Sequence, residues 1–108
     1  MRLLLDTSCW LWMTAAPERL SGATRSLLLD ERTELYLPIQ DYLPSRLAAF
    51  RTNPLSVEHA HALRVATLPA HHRDPFARLL LAQAQIEGLA ILTSDRLFDR
   101  YDVEIVPA

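Results

Sequence analysis

Short apolar runs alternate along this chain with longer amphipathic stretches. "RLLL" (2–5) is closed by Asp6, the form of a strand buried on both faces whose carboxyl end carries a polar group. "TSCWLWMTA" (7–15) predicts a helix or helical turn, with Thr7 or Ser8 available as its cap. Over 17–31, Leu20, Ala23, Leu27 and Leu28 recur near helical spacing behind Pro17, which predicts a second helix. "ELYL" (34–37) predicts a strand cut off by Pro38, residues 40–50 have helical content around a kinking Pro44, and 53–57 reads as a brief extended segment. Over 56–68, Ser56 is the expected N-cap, with Val57, Ala60, Leu63 and Leu68 as the apolar stripe. A further helix starts at Pro75 and ends at Gly88, and "LAILT" (89–93) and "VEIV" (103–106) supply the last strands.

Strands separated by helices imply an α/β domain whose parallel sheet is covered on both faces. Ligands of such sheets bind outside the carboxyl ends of the strands. Asp6 and Asp95, each just past a predicted strand end, therefore share one rim.

Composition narrows the function. The 108 residues make one domain, 1–108, without repeat, low-complexity tract or linker. A formal charge of -2 gives no global basic footprint, which argues against a histone-like nucleic-acid binder and leaves only local patches. The basic residues are all Arg. Cys9 can form no internal disulfide, fits a reducing compartment, and beside Trp10 is expected to be buried. The first apolar run stops at Asp6, short of a signal-peptide core, and no stretch approaches the ~18 apolar residues of a membrane span. A cytoplasmic protein is expected.

The absence of a Gly-rich turn after the first strand excludes nucleotide-binding loops, since Gly22 and Gly88 are the only glycines. A phosphotransferase using Asp6 as nucleophile is conceivable, but the usual second acid two residues later is Ser8. Metal-assisted phosphodiester hydrolysis fits better, because Mg²⁺ takes one or two carboxylates with waters and substrate oxygens. The competing reading is that Asp6 and Asp95 cap helices or bind loop amides. His59 and His61, two apart on a predicted helix, point in different directions, and His71 and His72 are adjacent in a loop, so a zinc site is not expected. With Arg73 the latter pair forms a polar loop able to approach phosphate. Asp74 followed by Pro75 is a helix N-cap with proline at N1. Ala77 then falls at N3, where a carboxylate would meet both the helix dipole and the sheet rim.

"LLLDT", "LPAHHRDPFARLLLAQAQIEG" and "LAILTSDRLFDRYDV", in that order, resemble the PIN-domain family, in particular the VapC-type toxins that carry an "HHRDPFDRLL" string. The resemblance covers most of the chain. It implies an α/β/α sandwich with a mainly parallel sheet and a Mg²⁺- or Mn²⁺-dependent endoribonuclease. It also implies an RNA substrate, homodimerisation and a cognate antitoxin that covers the active site. By position, Asp6 and Asp95 match the first and last family acids, Asp74 matches the first Asp of the string as a further metal candidate, and Thr7 and Thr93 are supports. Arg73 and Arg78 are candidates for holding the RNA backbone, their alternative being a solvated surface. Ala77 stands where the family has an acid.

A second departure lies near 37–38. Relatives continue there into a segment with a further glutamate ligand, whereas "ELYL" runs directly into "PIQDYLPSRLAAF", so an internal deletion is expected. Glu34 and Asp41 are the candidates to stand in for the lost glutamate. The resemblance thus implies a ribonuclease with impaired activity, or a non-catalytic PIN-fold protein retained for binding antitoxin or RNA. Losing a covering helix would also expose apolar surface, which favours association.

Overall fold

A computed structural model describes residues 1–38 and 52–108, the side chains of Thr7, Thr14, Pro38 and Thr52 excepted. The helical content expected over 40–50, with Pro44 and Asp41, lies outside the described residues. The chain folds as an α/β sandwich around a five-stranded sheet of order β3-β2-β1-β4-β5. The strands are β1 (Arg2–Leu5), β2 (Glu34–Pro38), β3 (Thr52–Leu55), β4 (Ala90–Thr93) and β5 (Ile105–Pro107). Every neighbouring pair is parallel.

The strand sequences explain the three layers. Leu3, Leu5, Leu35, Leu37, Ala90 and Leu92 face one core, which is closed by Cys9, Trp10, Leu20 and Leu28. Leu4 and Ile91 face the other, closed by Leu80, Leu81, Ala84, Phe98 and Tyr101. Alternation along each strand thus feeds apolar side chains to both faces, as a sheet covered on two sides requires. Proline is found at a strand end (Pro38) or on the edge strands β3 and β5 (Pro54, Pro107), where a missing N–H costs the sheet least.

The helices are α1 (Thr7–Ala15), α2 (Gly22–Leu29), α3 (His59–Val65) and α4 (Pro75–Glu87). The single helix expected over 17–31 is divided into a 3-10 turn at Pro17–Arg19 and α2. Ser21 causes the break, because its hydroxyl accepts the Thr24 N–H at 3.1 Å and starts a new helix there. At α3 the cap is Glu58 rather than Ser56, and of the expected stripe Leu68 alone is buried: Val57, Ala60 and Leu63 are exposed while His61 is completely buried. Imidazole Nδ1 of His61 accepts the Glu58 N–H at 2.8 Å, so Nε2 carries the proton and donates to Glu87 at 3.0 Å. The buried histidine thus joins α3 to α4, with Val65 packed against the second core and Arg64 bonded to Gln85. His59 is exposed.

Helix α4 begins and ends as its sequence predicts. The Asp74 carboxylate accepts the Phe76 N–H at 3.0 Å, and Gly88 adopts a left-handed φ of 66° that lets the Leu89 N–H return to the Ala84 carbonyl. No helix among the described residues is long and apolar enough to cross a membrane.

Among the described residues, two buried side chains have polar atoms without partners, Trp10 at its indole nitrogen and Gln83 at both ends of its amide. Gln83 in α4 is fully enclosed, and neither its amide nitrogen nor its oxygen is hydrogen-bonded. An unsatisfied buried amide costs roughly 1–3 kcal/mol, so the similarly shaped Gln83→Met variant should be more stable by about 1–2 kcal/mol. The check is a higher urea midpoint with an unchanged denaturant slope.

Candidate active site

The sheet order reverses at the centre: β2 and β3 extend it to one side of β1, and β4 and β5 to the other. The gap beyond the carboxyl ends of β1 and β4 is the switch point where ligands of open α/β sheets bind. The register pairs Leu5 with Leu92, and the Asp6 N–H donates to the Leu92 carbonyl at 3.0 Å. Asp6 and Thr93 are thereby brought side by side.

Thr93, only 2% exposed, joins the two carboxylate residues. Its hydroxyl donates to Asp6 Oδ2 at 2.7 Å and accepts the Asp95 N–H at 3.0 Å. Although Asp6 occupies the N-cap position of α1, its side chain caps nothing. Its carboxylate faces the rim instead. Asp95 does cap, taking the Leu97 N–H on Oδ1 at 3.0 Å to start the 3-10 turn Arg96–Arg100. Its other oxygen, Oδ2, lies 2.7 Å from His72 Nε2. Since His72 Nδ1 accepts the Asp74 N–H at 3.2 Å, the proton sits on Nε2 and is donated to Asp95.

Sequence reasoning put His72 in a polar loop able to approach phosphate but missed its attachment to Asp95. The loop is docked by residues that carry no motif signal. Tyr101, buried behind it, accepts the His72 N–H and donates to the Pro69 carbonyl, both at 2.8 Å. The His72 ring tilts against Phe98, and His71 meets the Tyr101 ring edge-on.

The other expected site residues are distributed as follows. Asp74 is exposed and holds the start of α4, and it does not join Asp6 and Asp95 in a three-ligand group. Ala77 is half-buried at N3 of α4, its methyl against the second core. Thr7 opens α1, its side chain lying outside the described set. Glu34 sits at the amino end of β2, paired with Arg2, and so on the opposite side of the sheet from the rim. Arg78 is turned inward: Nη1 donates to the Pro69 carbonyl at 2.9 Å, and Nη2 donates to the carbonyls of Val65 at 2.9 Å and Leu68 at 3.2 Å. Its charge ties down the turn after α3. Arg73 is exposed, without a hydrogen bond or ion pair to any described residue.

Cys9, at the base of the rim, is fully buried, and burial, reinforced by the Asp6 charge, pushes its thiol up to about 12 from 9.0. The thiol is therefore a packing group here.

The PIN-domain model matches residues 37–104 of this sequence. The chain belongs to the PIN-domain family. Among curated proteins, none matches it. Among solved structures, this PIN domain is similar to a chain of VapBC2 from Rickettsia felis bound to a DNA fragment from its promoter, with TM-score 0.74 and 13% identity over 99% of this chain and 98% of that one. It is also similar to a chain of DNA-bound VapBC from Salmonella typhimurium, with TM-score 0.65 and 20% identity over the same shares. The α/β fold expected from sequence is that of these VapBC structures.

PIN domains generally depend on a divalent metal, and the rim can be tested for one. Among the described residues no three His, Cys, Asp or Glu side chains gather where they could hold an ion. Both Asp95 oxygens and one Asp6 oxygen already accept hydrogen bonds from the protein, and Ala77 offers no donor. The described residues do not fit a protein-held cation.

Two outcomes follow from this geometry. Arg78→Ala should lower stability by about 2–3 kcal/mol, because it removes charge-assisted bonds to the carbonyls of the turn after α3, whereas Arg73→Ala should stay within ~0.5 kcal/mol. Paired thermal melts distinguish the two. For Cys9, the unfolded chain releases the thiol proton near 9.0 and the folded chain near 12. Between those values the folded state binds more protons, so stability falls as pH rises through that window. Urea titrations at stepped pH should show a steeper fall in the parent chain than in Cys9→Ala.

Proposed function

We propose that this PIN domain is the toxin-type member of a cytoplasmic VapBC-like pair, an endoribonuclease by descent whose activity is impaired and which keeps its antitoxin. The observation that carries this reading is the rim itself. Asp6, Thr93 and Asp95 stand linked at the switch point, while position 77 contributes a methyl group. The family and the two VapBC structures support the toxin type.

Impairment follows from chemistry. Phosphodiester hydrolysis requires a positioned, activated water and compensation for charge building on the departing oxygen. With two carboxylates already engaged by protein donors, the described residues retain weak means of supplying either. Arg73, exposed one residue from His72, is the group suited to hold an RNA phosphate beside the rim. Arg78 is committed to carbonyls and takes no part.

The short connection favours a deletion. Only residues 39–51 separate the parallel neighbours β2 and β3, close to the dozen or so residues that a parallel crossover needs as a minimum. Phe76 and Leu97, apolar and exposed on the two segments that carry Ala77 and Asp95, suit coverage by an antitoxin peptide. Leu29 and Leu63, exposed elsewhere, are consistent with a homodimer.

Cleavage of a mixed RNA pool in Mn²⁺ and in Mg²⁺, with chelated and Asp6→Asn controls, tests the reading. The parent chain should be at least ~10²-fold slower than Ala77→Asp, the scale of losing one charge-stabilising group in the transition state. Asp6-dependent cleavage by the parent that Ala77→Asp does not raise would sink it.

A further inference from the structure

The rim that does not gather a cation's donors contains an electropositive group of its own. Three protein donors meet the carboxylates of Asp6 and Asp95: the Thr93 hydroxyl, the Leu97 N–H and the His72 Nε2–H. The first two come from the strand end and the turn that carry Asp95 itself. His72 arrives from a separate loop, 23 residues back in sequence, and makes at 2.7 Å one of the two shortest of these bonds.

Its orientation is fixed from both sides. The Asp74 N–H occupies Nδ1, the backbone N–H of His72 is held by Tyr101, and the ring rests on Phe98. The side chain is 12% exposed. This imidazole cannot serve as an acid–base shuttle without breaking one of its bonds, because both nitrogens are occupied. It is built to hold.

We propose that His72 takes the place of a cation at this rim: it is the partner that keeps the Asp95 carboxylate in position, so that the folded site is independent of divalent metal, and removing the imidazole opens Asp95 to one. The proposal deepens the reading of the same rim. Its readouts are stability and metal binding, whereas that reading is tested by RNA cleavage, so the two can fail separately.

The test is thermal melting and calorimetric titration of the chelator-stripped full chain with Mn²⁺ alone and Mg²⁺ alone. The parent should melt at the same temperature with and without about 1 mM Mn²⁺, since an ion that does not bind the folded state cannot stabilise it. His72→Ala should melt lower in chelator and recover by about 4–8 °C on adding Mn²⁺. The His72→Ala, Asp95→Asn double variant should show no recovery, which assigns the ion to the freed carboxylate. A His72→Ala response equal to the parent's, whether both shift or neither does, overturns the proposal. If His72→Ala does not fold, His72→Leu takes its place in the same comparison, and sub-millimolar Mn²⁺ binding to the parent overturns the proposal in either case.

Discussion

The geometry of the rim depends on one hydroxyl. Thr93 has a single proton to give and lone pairs to offer; the proton goes to Asp6, and a lone pair takes the Asp95 N–H. Two acidic residues from strands far apart in sequence are thereby set by one atom that is almost wholly buried. That placement in turn requires the β1–β4 register, because Asp6 stands beside Thr93 only while Leu5 stays opposite Leu92. A slip by one residue would exchange the two faces of β1, sending Leu4 into the core of Leu3 and Leu5. The site therefore inherits its precision from the packing of both cores rather than from local loop structure.

The second constraint is the segment between α3 and α4. It has no regular structure, and such a segment must find partners for its carbonyls. Arg78 supplies them from below and Tyr101 from beside, which leaves His72 directed at Asp95. The residue expected to reach outward for phosphate thus turns inward, and the rim gains a histidine because an arginine has fixed the loop behind it. Exposed Arg73 is the cation that remains free on this loop among the described residues.

Much of this was legible in the sequence where a local rule has one outcome. The Asp74–Pro75 start and Gly88 end of α4 and the apolar β1 run follow from capping chemistry and periodicity alone, whereas α1 starts one residue earlier than its expected Thr7 or Ser8 cap, with Asp6 at the N-cap position and no side-chain cap bond. The helix expected across 17–31 failed because Ser21 fits a helix interior and a cap almost equally well, and tertiary packing chose the cap. His61 was illegible for a related reason: a histidine counts as polar until a backbone N–H and a carboxylate satisfy both ring nitrogens, after which it buries as well as leucine. At the rim, the aspartates and Thr93 carried motif signals. Tyr101 and Phe98, which deliver His72, are ordinary core aromatics in sequence, and no spacing rule connects residue 72 to residue 95.

The alanine at position 77 and the hold of His72 on Asp95 bear on one electrostatic condition. Carboxylates that share a site raise one another's cost of ionisation unless positive charge or hydrogen-bond donors compensate. At this rim the donors are countable: a hydroxyl for Asp6, and an amide and an imidazole N–H for Asp95. A third carboxylate at N3 of α4 would add negative charge beyond what these donors meet, and would need a metal, the helix end or a free cation such as Arg73 to compensate. With alanine there, the two remaining charges match the donors the fold provides. An alanine at this position thus leaves a rim that holds its geometry by hydrogen bonds alone.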